Sequence, residues 1–161
     1  METIVQAIEG STLNTWILSS SWLWPTLEIL HFVGLSLLLG SLLVIDLRLA
    51  GFFRHIDIRA THRMLPWTFA GFSMNLVTGA LFVIGDPARY AANVGFRWKM
   101  VLVLIAGLNA LWFYRKINPV MGGWAPDADT PGLAKIIAFL SLGTWTGVLL
   151  LGRLIPYIGT G

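Results

Sequence analysis

Four stretches of this chain are each long and apolar enough to cross a lipid bilayer, and that decides its fold class. A spanning helix needs about 20 mostly apolar residues, and the segments 25–47, 65–84, 97–114 and 131–157 meet that requirement. In hydrocarbon every backbone N–H and C=O must find its partner within the segment, so runs of this length fold as helices. The expected architecture is all-α and integral to the membrane: a four-transmembrane-helix bundle, with residues 1–161 forming one domain. Composition agrees. Of the 161 residues, 56% are hydrophobic and 12% charged, about half the charged fraction of a soluble domain.

Local chemistry sets the boundaries. Pro25 suits a first helical turn, where its missing N–H costs nothing. Thr130-Pro131 gives the same signal for the fourth helix, with Thr130 as N-cap. Gly85-Asp86-Pro87 ends the second helix, and Asn118-Pro119 followed by Gly122-Gly123 ends the third. The third span reads as the shortest, with Arg97, Lys99, Arg115 and Lys116 snorkelling at its ends. Residues 125–131 are the most polar connector. Ahead of the first span, residues 3–21 set Ile4, Val5, Ile8, Leu13, Trp16 and Ile17 among polar neighbours. That pattern predicts a helix lying on the membrane surface, with Trp22 and Trp24 at headgroup level.

A net charge of +3 and a pI of about 9.7 do not point to nucleic acid. The basic residues stand singly at the ends of apolar runs, as interface anchors do. Their distribution orients the chain. Arg48, Arg54, Arg59 and Arg63 in the first connector, with Arg115, Lys116 and Lys135 in the third, outnumber Arg89, Arg97, Lys99 and Arg153 on the other side. The positive-inside rule then places both termini outside the cytoplasmic membrane. With no cysteine, disulfides, thiolate zinc sites, iron–sulfur clusters and cysteine nucleophiles are excluded. No HExxH, Walker A or dinucleotide fingerprint stands in a suitable context.

Function must then lie with polar residues that enter the membrane. His31, six residues past Pro25, lies roughly 9 Å below the outer boundary, and Glu28 one turn above it. The fourth helix brings Arg153 to the level of Glu28, so a Glu28–Arg153 ion pair between the two helices is expected. Asn75, Asn109 and Thr144 or Thr146 form a second polar layer near the midplane. They read as interhelical hydrogen bonds or as a polar path for ions or protons. Small residues at Ser36/Gly40, Gly71/Gly79, Ala106/Ala110 and Gly143/Gly147 mark close helix approaches and leave packing surface for a homo-oligomer. Asp46 and Arg48 read as a local cap or pair.

His31 shares its helical face with Gly34, Leu38 and Ser41, which would leave a shallow trough beside the imidazole. Such a trough admits the flat face of a porphyrin, with His31 Nε2 on the iron; the alternative is a buried histidine hydrogen-bonded to a neighbouring helix. His55 and His62 belong to the cytoplasmic connector, roughly 20 Å away along the membrane normal, and read as solvated. A second ligand to the same iron would come from Met74, Met100 or a neighbouring subunit.

Three stretches carry a family resemblance. They are Glu28-Ile29-Leu30-His31-Phe32-Val33-Gly34 with Gly40 and Asp46-Leu47-Arg48, then Gly71-Phe72 with Val77-Thr78-Gly79, and Phe96-Arg97-Trp98-Lys99 running to Asn109. Together they resemble a bacterial membrane family of unknown function. More distantly they are similar to the CopD copper-resistance domain and HemJ-type protoporphyrinogen oxidase. The resemblance implies a haem-associated bundle in the bacterial inner membrane, with His31 and Lys99 matching the family's first-helix histidine and later lysine. The chain departs from both groups: it has no second intramembrane histidine, which argues against a bis-histidine haem within one chain, and no cysteine and few methionines, which argues against copper movement.

Three readings follow. The first is a cytochrome-like electron-transfer protein holding haem b on His31 near the outer leaflet, with Gly34 beside the ring and Glu28, Lys99 and Arg153 around the propionates. The second is an oxidoreductase acting on a porphyrinogen or quinone. The third is a haem-free channel, carrier or assembly subunit built on Glu28, His31 and Arg153. Membrane lipids are partners in all three, and a redox partner or quinone in the first two.

Overall fold

The computed structural model describes residues 2–125 and 129–158. Among them there is no strand, and four helices are long and apolar enough to cross a membrane. In chain order the elements are α1 (Glu2–Ile8), α2 (Thr12–Ser19), α3 (Leu23–Ala50), α4 (Ile58–His62), α5 (Leu65–Gly85), α6 (Pro87–Ala92), α7 (Val94–Lys116), α8 (Asn118–Met121) and α9 (Gly132–Leu154). The spans are α3, α5, α7 and α9. Their outward faces are apolar, with Phe32, Leu76, Leu104 and Leu108 all exposed. The protein is a multi-pass membrane protein.

The surface helix expected over 3–21 is two helices. Gly10 takes a positive φ of +76°, a conformation open to glycine but strained for other residues, and the chain turns there. The Ser11 side chain then accepts from the Asn14 backbone N–H and starts α2. This segment is also tied to the bundle. Asn14 Nδ2 donates to the Ile84 carbonyl at 2.7 Å, satisfying an open end of α5, and Ile17 packs with Leu23 and Leu27.

Two boundaries shift for capping reasons. The third span is not the shortest: Asn93 accepts from Phe96 N at 2.9 Å and starts α7 three residues before Arg97, while α5 at 21 residues is shorter than the 23 of α7. Asn93 Nδ2 also donates to the carbonyls of Ile155 and Ile158, so one side chain begins α7 and closes α9. Thr130 does not cap α9. Pro131 occupies that position without a side-chain bond, and the Thr130 hydroxyl faces Arg48 instead. At the end of α3, Gly51 adopts φ +95° and its N–H returns to the Arg48 carbonyl, a left-handed stop that only glycine takes cheaply.

The four spans pack as a bent row. Helix α3 packs along α5 and also against α9, and α9 packs along α7; α5 and α7, at the two ends of the row, barely meet. The closest approach is α3 on α5. A Cβ on Gly71 would stand 2.5 Å from the Leu38 backbone nitrogen, and one on Gly34 would stand 2.7 Å from Asn75 Nδ2. An apolar cluster of Ile45, Leu49, Ile58, Ile117, Met121 and Ile137 closes the end of the row that holds Arg48. Between α5 and α7 a cleft remains open to the side.

Candidate functional site

At the end of the bundle opposite Arg48, three spans bring polar groups together. His31 lies in the α3–α5 seam. Its Nδ1 is 2.7 Å from Thr78 Oγ1. The Thr78 hydroxyl proton is directed to the Met74 carbonyl at 2.8 Å, so Thr78 accepts from His31 Nδ1–H. With Nδ1 carrying the proton, the neutral ring has its lone pair on Nε2. Nε2 has no hydrogen-bond partner among the described residues. Phe82 stands edge-on to the ring at 5.4 Å, and Gly79 passes Cε1 with no side chain between.

Lys99 approaches from α7. Its Nζ lies 3.3 Å from where a Gly152 Cβ would stand, so the missing side chain on α9 makes room for the amine, whose charge acts on the His31 ring. Lys99 of α7 thus lies toward the end of the bundle that holds His31. A lone pair of this kind takes a metal or a donated proton, and the ammonium takes a carboxylate.

Other expected members of the site are elsewhere. Gly34 forms no trough, because Asn75, Gly71 and Met74 of α5 cover it. The Glu28–Arg153 ion pair does not form: Glu28 accepts from Trp24 Nε1 at 3.1 Å, and the Arg153 guanidinium sits over the Tyr157 ring at 5.3 Å. Both side chains are exposed, and each uses a neighbour one turn away in its own segment. Just outside the spans, burial pushes the Tyr90 phenol above its ordinary pKa, and Arg89 offsets part of that rise.

The midplane layer divides. Asn109 Nδ2 bridges α7 to α9 through the Ile137 carbonyl at 3.0 Å, as expected of an interhelical bond. Asn75 and Thr144 bond carbonyls of their own helices. Across the α3–α5 seam the hydroxyls of Ser41 and Thr68 pair at 2.7 Å. His62 is exposed and meets Asn118 Oδ1 at 2.9 Å, far from the His31 cluster in the fold.

Asp46 is the residue that sequence reasoning undervalued. It is only 4% exposed, with the Ser141 hydroxyl within reach and Oδ2 without a partner among the described residues. The signal was present: residues two apart on a helix do not face each other, so helical phase points Asp46 and Arg48 in different directions.

Comparison with known protein families, characterised proteins and solved structures finds no match for the chain.

Proposed function

We propose that this is a membrane-embedded b-type haem protein for electron transfer, with His31 as an iron ligand and Lys99 as a propionate partner. The observation that carries the reading is the hydrogen bond between His31 Nδ1 and Thr78 Oγ1. Metal-bound histidines almost always donate their other ring N–H to a neighbour, which sets ring orientation and basicity. Thr78 supplies that acceptor, Nε2 has no partner among the described residues, and Lys99 lies toward the same end of the bundle. A haem bound there supplies one-electron chemistry. The chain's own work is to hold the imidazole through Thr78 and Phe82 and to balance the propionate charge through Lys99. Arg153 offers a second cation at the same end, and Gly34 and Glu28 take no part. By the arginine and lysine balance, the Arg48 end faces the cytoplasm of a bacterial inner membrane. Open glycine faces at Gly40 and Gly143 support a homo-oligomer.

Absorption spectra of detergent-purified protein, oxidised and dithionite-reduced, test this. Wild type from haem-replete cells is expected to show a Soret band with reduced α and β bands. His31→Ala should lose them. Thr78→Val, which removes only the acceptor for Nδ1–H, should keep the bands with haem affinity about tenfold weaker or more. A colourless wild type would overturn the reading. It would favour a haem-free carrier or assembly subunit, for which the covered face of Gly34 already speaks.

A further inference from the structure

The cleft between α5 and α7 has a character that the His31 site does not share. It encloses about 490 Å³, within the range of roughly 300–1,000 Å³ typical of small-molecule sites. Its walls are mainly apolar and aromatic, with Phe72 edge-on to Trp145 at 6.3 Å and Phe113 and Tyr114 opposite. Two polar side chains on its lining are buried and incomplete. Asp46, 4% exposed, has Oδ2 unpartnered, and Asn109, 5% exposed, has Oδ1 unpartnered. With Asp46 ionised, both atoms are acceptors. No lysine or arginine is among the described residues that line the cleft.

Each of these facts narrows the occupant. Two orphan acceptors in an apolar setting require a head that donates hydrogen bonds, because an unmet buried polar group costs about 1–3 kcal/mol. A carboxyl group inside a membrane, with no cation on the walls around it, is matched by a ligand that brings the positive charge. Aromatic faces attract the same charge and also hold a flat ring. The lateral opening between α5 and α7 admits a molecule from the bilayer, where an aromatic amphiphile concentrates. We propose that this cleft binds an aromatic amine, its ammonium meeting the Asp46 carboxyl and the Asn109 amide oxygen once those side chains turn into the cleft, and its ring among Phe72, Phe113 and Trp145. The assignment is independent of haem on His31, which lies on the other half of α3.

The test is equilibrium binding of 1-naphthylmethylamine and its neutral counterpart 1-naphthylmethanol to the full-length protein in detergent. The amine is expected to bind saturably, one per chain, at least tenfold more tightly than the alcohol. Asp46→Asn should abolish that preference. Ala110→Phe places a ring in the cleft from a lipid-facing position and should remove binding of both probes. It keeps the test decisive if Asp46→Asn fails to fold. Equal binding of amine and alcohol, a preference that survives in Asp46→Asn, or no saturable site would overturn the proposal. A colourless protein would leave it standing.

Discussion

Gly71→Leu is expected to break the bundle, while Gly143→Ala is expected to leave it intact or make it slightly firmer. The two glycines look alike in sequence, each one of a pair of small residues in an apolar helix. Their surroundings differ. A Cβ on Gly71 would stand 2.5 Å from the Leu38 nitrogen, 2.6 Å from the Gly34 carbonyl oxygen and 3.0 Å from the Leu38 Cα. All three are backbone atoms of a facing helix, so relief requires α3 and α5 to separate. That separation would also draw apart the Ser41–Thr68 and His31–Thr78 hydrogen bonds, which cross the same seam. Overpacking usually costs about 1–3 kcal/mol, with higher values where the backbone itself must move, so about 3 kcal/mol or more is expected for leucine. At Gly143 no neighbouring atom lies within 4 Å of where an alanine methyl would stand, and alanine there should gain up to about 1 kcal/mol of helix propensity. Thermal unfolding in one detergent, with the three proteins side by side, reads the contrast. Equal melting temperatures would show that the α3–α5 seam is not tightly closed in the membrane protein.

The same pair of glycines shows where sequence carries information and where it stops. The four spans were legible to within about three residues, because a bilayer demands long apolar runs and because proline, glycine and asparagine punctuate them. Depth was legible too, since rise per residue is fixed. Rotation about each helix axis was not. Glu28 and Arg153 do fall toward the same end, yet each settles on a neighbour in its own segment, and a depth argument is blind to that. Gly34 could be read as a trough or as a close contact, and only the position of α5 separates the two. Lys99 and His31 were read toward one end. The hydrogen-bond partner of His31, Thr78, lies 47 residues away in sequence and could be found only once α3 and α5 were paired. Asp46 was hidden for another reason: a carboxylate two residues from an arginine looks like a local pair until helical phase is considered.

Arg48→Met is expected to be the most damaging change at the opposite end, although methionine keeps the apolar stem of the side chain. Arg48 is 1% exposed. Its Nε donates to the Ile56 carbonyl at 2.7 Å, and Nη1 faces Thr130 Oγ1 at 3.4 Å. One guanidinium thus fastens the connector after α3 to Thr130, two residues before α9. The rigid fork of donors is what permits both directions at once; a lysine has a single head and should recover only part of the loss. Removing one member of a buried charged network costs about 3–5 kcal/mol, much of it from the polar groups left behind. The exposed cluster nearby is a useful contrast. Asp129 lies 3.0 Å from Lys135 and 3.3 Å from Arg54, and the Lys135 hydrogen bond holds its carboxyl below the ordinary pKa; exposed pairs of this kind are screened and weak, so Asp129→Ala should leave the melting temperature nearly unchanged. Arg48→Met should lower it by well over about 5 °C, the shift that roughly 1 kcal/mol produces in a small domain, and open the connector at residues 51–57 to protease. Wild-type melting and protease resistance in Arg48→Met would mean that the apolar cluster around Ile45, Leu49 and Ile58 holds this end of the bundle without the guanidinium.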